Sequence, residues 1–177
     1  CLESKEEVNA IVSGKADFPE WLTLREAKEA IDRGVMVWDF ASDSNPDIVF
    51  CSVGDYLTKE SLAAITMLKE DIPQVRIRFV NIVELTASGI GSNNKNIPFS
   101  GFDDYFTHDK PVIVNFHGYP ETIKQKLFDQ KSAHNRFFVH GYTEHGSTTT
   151  PFDMQVRNKT SRIHLVMEAV SLLEKDG

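Results

Sequence analysis

Ile48-Val49-Phe50-Cys51-Ser52-Val53, closed by Gly54-Asp55, is the stretch on which the fold turns. A continuous apolar run ended by a turn signal marks a strand buried on both faces, as strands of a parallel sheet are. Downstream, Thr58 opens a helix whose inner stripe is Leu62, Ile65, Leu68 and Ile72, and Pro73 stops it. Val75, Ile77 and Phe79 alternate with Arg76 and Arg78, the pattern of a strand with one wetter face. Pro111-Val112-Ile113-Val114-Asn115-Phe116 repeats the buried-strand pattern. A helix follows over about 120–130, then a short strand at Phe137-Phe138-Val139. A last helix starts near 160, with inner face Ile163, Val166, Met167, Val170 and Leu173. Residues 86–101, rich in Gly, Ser and Asn, are expected as a long loop.

Upstream of the deciding run lies the turn-rich Ser42-Asp43-Ser44-Asn45-Pro46, preceded by a short strand, Val35-Met36-Val37-Trp38. Before that, Thr23-Leu24-Arg25-Glu26 has the hydroxyl-to-carboxylate spacing of a capping box. Leu24, Ala27 and Ile31 follow at helical spacing, and Gly34 ends the helix. Strands alternating with helices require βαβ crossovers. The expected fold is therefore an α/β three-layer sandwich on a mainly parallel sheet of about five strands. The link from strand 35–38 to the next is too short for a crossover, so that strand is expected as the antiparallel edge. Residues 1–20 are broken by Pro19 and are expected to form a lead-in or interdomain linker, with 21–177 as one α/β domain.

At 177 residues the chain has enough length for one core, since a domain of this size hides roughly 70% of its unfolded surface. No apolar run approaches the ~20 residues of a membrane span, so no membrane partner is expected. The charged opening Cys1-Leu2-Glu3-Ser4-Lys5-Glu6-Glu7 is unlike a secretory leader, and two cysteines make no disulfide framework; a cytoplasmic setting is expected. The net charge of −7 argues against nucleic acid, which takes a basic stripe. The charge is uneven, however. Residues 110–162 hold eight Lys and Arg against four Asp and Glu, and five of the six histidines lie at 117–164. Such a region suits a small anion or an acidic neighbouring domain.

Most short motifs carry little chemistry. Gly89-Ile90-Gly91 lacks the third glycine and following helix of a dinucleotide site. His134, His140 and His145 fall at spacings that place them on different elements, unlike a metal set. Gly54-Asp55-Tyr56 is a turn in which Asp55 can cap the next helix. Two segments stand out. Phe116-His117-Gly118-Tyr119-Pro120 directly follows a buried strand, at the carboxyl end where ligands and interfaces gather in open α/β sheets. Gly141-Tyr142-Thr143-Glu144-His145-Gly146-Ser147-Thr148-Thr149-Thr150-Pro151-Phe152-Asp153-Met154 packs four hydroxyl residues between Gly and Pro. Those hydroxyls can cap helices, face a neighbouring surface or bind an anion.

His117-Gly118-Tyr119-Pro120, the run from His140 to Met154, Asp109-Lys110-Pro111-Val112 and Ser13-Gly14-Lys15 followed by Trp21-Leu22-Thr23 together resemble the C-terminal domain of phosphoketolases, in the transketolase superfamily. The resemblance implies a longer parent enzyme, dependent on thiamine diphosphate and Mg2+. That parent, a carbon–carbon lyase, would cleave xylulose 5-phosphate, and in some members fructose 6-phosphate, with phosphate to acetyl phosphate and an aldose phosphate. It implies a homodimer or higher homo-oligomer, with the upstream domains of the same polypeptide as partners. The superfamily's Gly-Asp-Gly…Asn-Asn cofactor motif is missing from these residues, so the isolated chain is expected to be inactive, with no catalytic residue and no bound cofactor or metal of its own. By the same resemblance Lys15 is expected to bind the sugar phosphate, while His117, Tyr119, Ser147 and Thr148 are candidates for the site rim or interdomain contacts. The alternative reading of the basic region is a stand-alone α/β module for a small phosphorylated ligand.

Overall fold

The computed structural model describes residues 10–85, 101–128, 130–144, 146 and 148–176. The helix over Leu24–Arg33 (α1) starts with the expected capping box: Glu26 N–H donates to Thr23 Oγ1 at 3.4 Å, and Thr23 N–H donates to Glu26 Oε2 at 2.8 Å. It ends at Gly34, whose φ of 75° is left-handed backbone that glycine adopts without strain. The chain then runs through Val35–Val37 (β1), Ile48–Val53 (β2), Asp55–Asp71 (α2), Ile77–Ile82 (β3), Phe102–Phe106 (α3), Val112–Phe116 (β4), Pro120–Leu127 (α4), Phe137–Gly141 (β5), Pro151–Arg157 (α5) and Arg162–Asp176 (α6).

The strands form one sheet in the order β1-β3-β2-β4-β5. β2 lies at its centre, parallel to β3 and to β4; β5 is parallel to β4, and β1 is the antiparallel edge, paired with β3. All six residues of β2 are buried, as its unbroken apolar run predicts. Alternation divides them between two cores. Val49, Cys51 and Val53 pack with Val114, Ile123 and Phe106 on the face covered by α3 and α4. Ile48 and Phe50 pack with Leu68 of α2 and Leu165 and Ala169 of α6 on the other. These are the three layers of the expected sandwich. Glu60, 3% exposed, joins the two helices of that second face by accepting from Arg162 N at 2.8 Å, Nε at 2.9 Å and Nη2 at 2.7 Å.

Several expectations are corrected. The inner stripe of α1 is not Leu24 and Ile31, which are 89% and 61% exposed; Ala30 is its buried contact. In α6 the buried residues are Leu165, Ala169 and Leu172, with Val166, Val170 and Leu173 flanking them. Ile163 and Met167 are exposed. In α6 apolar residues cover more of the circumference than the core contacts, whereas in α1 the narrow stripe of Leu24, Ala27, Ala30 and Ile31 meets the core only along its Ala30 edge. Part of the hydroxyl-rich segment is also helical: Thr150 Oγ1 accepts from Asp153 N–H and Pro151 takes the first position of α5. Of the loop expected at 86–101, including Gly89-Ile90-Gly91, residues 86–100 lie outside the described residues. Among the described residues no helix is long and apolar enough to cross a membrane.

Candidate functional site

β3 follows β2 on one side, and β4 then lies on β2's other side, so the winding reverses between β2 and β4. In an open α/β sheet such a reversal opens a crevice beyond the carboxyl ends of the two strands. Here those ends carry Gly54-Asp55-Tyr56 and His117-Gly118-Tyr119. Main-chain bonds hold them together: His117 N–H donates to Val53 O at 2.9 Å, and Tyr142 N–H beyond β5 donates to Phe116 O at 2.8 Å. Gly54, at φ 99°, lets His117 approach, since a Cβ there would stand 2.6 Å from His117 Cβ. Gly141 does the same for the next turn, where a Cβ would meet Gly118 O and Pro120 Cδ, each at 2.4 Å.

The result is an aromatic row. The His117 ring lies edge-on to Tyr142, centroids 4.9 Å apart, and edge-on to Tyr56 at 6.2 Å. Tyr56 is in turn edge-on to Phe18 at 4.8 Å. Burial pushes the His117 imidazole below its ordinary range, against the pull of the Asp55 and Glu144 carboxylates. Burial also raises the Tyr142 phenol, with Glu144 acting in the same direction. Both shifts favour the uncharged forms of His117 and Tyr142, which suit packing and hydrogen bonding. The lead-in segment reaches this place too: Gly14 N–H donates to Asp55 Oδ2 at 2.8 Å, and Lys15 is exposed beside it.

Of the expected site residues, the structure thus brings Lys15 and His117 to one end of the sheet. Tyr119 stands apart from the aromatic row, 68% exposed at the start of α4. Thr148 is exposed, and Ser147 lies outside the described residues. The neighbouring hydroxyls serve α5, where Thr149 Oγ1 donates to Asp153 Oδ2 at 2.9 Å. Sequence reading missed Phe18 and Tyr142 and gave Asp55 only a capping role. The available signal was that Gly54-Asp55-Tyr56 ends a buried strand just as His117-Gly118-Tyr119 does.

The two buried or half-buried arginines of the basic region do not converge on an anion site. Arg136 is buried under main-chain carbonyls, and the Arg162 guanidinium engages Glu60. His134 Nε2 donates to Phe128 O at 3.2 Å and His140 Nε2 pairs with Glu168 at 2.5 Å, while His145 lies outside the described residues. Among the described residues no group of three His, Cys, Asp or Glu could hold a metal ion.

Comparison with known proteins extends along the whole chain. The family described as the XFP C-terminal domain matches residues 15–177. A probable phosphoketolase of Rhodopirellula baltica is 42% identical over 181 aligned residues, covering 100% of this chain and 23% of the relative. One from Brucella abortus is 41% identical, covering 98% of this chain and 22% of the relative. The chain thus spans under a quarter of these relatives. Among solved structures, transketolase from Leishmania mexicana superposes with TM-score 0.60 at 13% identity, over 83% of this chain and 19% of that one. Transketolase from Campylobacter jejuni gives 0.54 at 13% identity, over 90% and 20%. At such identities these likenesses establish the fold.

Proposed function

The chain belongs to the XFP C-terminal domain family, the C-terminal domain of phosphoketolases in the transketolase superfamily, and from this premise we propose that it serves a cytoplasmic, thiamine-diphosphate-dependent phosphoketolase as a domain that is noncatalytic by itself. The parent enzyme cleaves xylulose 5-phosphate, or fructose 6-phosphate, with phosphate to acetyl phosphate and an aldose phosphate. The residues present do not fit the Mg2+–thiamine diphosphate pair: the acidic turn after β2 ends in Tyr56 where a second glycine would stand, and Asp55 Oδ2 is engaged by Gly14 N–H. Cofactor chemistry is therefore assigned to upstream domains of the same polypeptide.

This domain's contribution is packing and one charge. Leu24, Ile31, Phe128 and Met167 are each more than half exposed here, apolar area suited to cover by upstream domains or by a second copy in a homodimer or larger homo-oligomer. Lys15 supplies an ammonium for the sugar phosphate. The observation that carries the assignment is the exposed Lys15 beside a Gly14 that is hydrogen-bonded to the sheet's carboxyl end. Lys15→Ala in the full-length enzyme is expected to raise KM for the sugar phosphate with kcat little changed. An unaltered KM in a folded variant would refute the role. The alternative, a stand-alone phosphate-binding module, has against it that the two buried or half-buried arginines of the basic region are occupied by carbonyls and by Glu60.

A further inference from the structure

We propose that the crevice at the β2–β4 reversal is the seat of this chain's own residues 14–18, and that Asp55 is a positioning residue that fixes Lys15 through the main chain of Gly14. The inference rests on the reading of Lys15 as the phosphate contact. The place where open α/β sheets take ligands is here filled from within. Gly14 N–H donates to the Asp55 carboxylate at 2.8 Å, a charge-assisted bond. A Cβ on Gly14 would stand 2.8 Å from Phe18 Cε2 and 2.9 Å from Asp55 Oδ2, so any side chain there would displace the Phe18 ring and the Asp55 carboxylate. Four residues on, Phe18 closes edge-on against Tyr56, and Tyr56 leans on His117.

The segment is therefore pinned at both ends, by a hydrogen bond at Gly14 and by a ring contact at Phe18, while Lys15, Ala16 and Asp17 between them are exposed. Asp55 is itself anchored as the first residue of the 17-residue α2, and His117 behind it is fixed by its bond to Val53 O. The Cα of Lys15 follows that of Gly14 by one peptide, so the anchor places the ammonium within one side-chain length of a fixed point. Without the anchor the same charge would range with the lead-in, and its effective concentration at the phosphate would drop.

The test uses the full-length enzyme and five variants: Asp55→Ala, Asp55→Asn, Phe18→Leu, Lys15→Ala and the double variant Asp55→Ala with Lys15→Ala. Asp55→Ala removes the acceptor and is expected to raise KM for the sugar phosphate about tenfold, equivalent to ~1.4 kcal/mol, with the change falling on KM rather than kcat. Asp55→Asn keeps an oxygen that can accept from Gly14 N–H and is expected to recover most of the affinity. Asp55→Ala added to Lys15→Ala is expected to raise KM no further, and hydrogen exchange of the peptide covering 10–20 is expected to quicken in Asp55→Ala. If Lys15→Ala raises KM and Asp55→Ala does not, the positioning role is overturned while the lysine's role stands. If Lys15→Ala has no effect, the phosphate reading fails, and exchange alone decides the seat: unchanged exchange in Asp55→Ala overturns it. Should Asp55→Ala not fold, Phe18→Leu, which frees the other end, must show the same rise in KM and faster exchange, or the proposal is wrong.

Discussion

Arg136 is the side chain whose removal the structure prices most clearly. It is 8% exposed at the amino end of β5, with its guanidinium 5.0 Å over the Phe137 ring. It donates to Phe106 O at 2.7 Å, Lys110 O at 2.8 Å and Thr107 O at 2.7 Å, and also to Ser132 O. One group thus ties together the end of α3, the turn into β4 and the short 3-10 turn before β5. Arg136→Met removes all four bonds. At about 1 kcal/mol net for each, that is a loss of about 4 kcal/mol. The charge was itself costly to bury: burial pulls the guanidinium below its usual range, against Asp103 and Asp109. Its removal returns on the order of 1–2 kcal/mol. The net cost is then about 2–3 kcal/mol. With a urea slope of roughly 2–3 kcal/mol/M, the unfolding midpoint of the chain, followed by circular dichroism, should fall by about 1 M. Arg136→Lys keeps the charge and three donors but not the planar fork, and should lose about half as much. A Met variant with wild-type midpoint and slope would refute the reasoning, as would a Lys variant as damaged as the Met one.

Glu60 is pushed upward by burial, yet the Arg162 hydrogen bonds outweigh this and hold its carboxyl below the usual carboxylate range. A depressed acid stabilises the fold above its unfolded pKa and ceases to do so as pH falls through the folded one; Glu60→Gln should therefore cost about 1–2 kcal/mol at neutral pH and flatten the loss of stability below about pH 4.5 in acid titrations. Gly141→Ala places a Cβ 2.4 Å from Gly118 O and from the rigid Pro120 ring. It should cost about 2 kcal/mol, read as a fall of about 4–8 °C in Tm; an unchanged Tm would mean that the β4 and β5 turns are not packed as described.

The sheet was legible because its signals are local. Ile48–Val53 announces a doubly buried strand, Thr23 and Glu26 announce a helix start, and Gly34 its end. The short link after Val35–Val37 announces the antiparallel edge. Helix faces were less legible, because Leu24, Ile31, Ile163 and Met167 are apolar without being buried in this chain. In a domain that belongs to a longer enzyme, an apolar stripe reports every surface the helix meets, including those outside the domain, and so its centre shifts. The site divided the same way. His117 could be placed from its position after a buried strand, whereas the bond from Gly14 to Asp55 spans 41 residues and leaves no periodic trace. Arg136 was counted as part of a basic surface, yet its four acceptors are main-chain oxygens, which no side-chain pattern reveals.

The uneven charge acquires a different meaning from these contacts. Arg136 sits at the amino ends of the strands, bonded to carbonyls, and Arg162 sits on the face between α2 and α6, bonded to Glu60. His140 pairs with Glu168, and the half-buried His117, its imidazole pushed below the ordinary range by burial, packs against Tyr142 and Tyr56. A field that concentrates a phosphate needs free cations pointing at one place; these groups point to different places and are already engaged. Lys15, outside the basic region, lies beside the crevice. An anion drawn to the carboxyl end of this sheet would therefore meet Lys15 on the lead-in, residues 10–20, while Arg136 and Arg162 of the basic region are engaged elsewhere. With Lys15 in its proposed role, Asp55→Ala, which removes no cation, should weaken sugar-phosphate binding by the full-length enzyme through the loss of the Gly14 anchor.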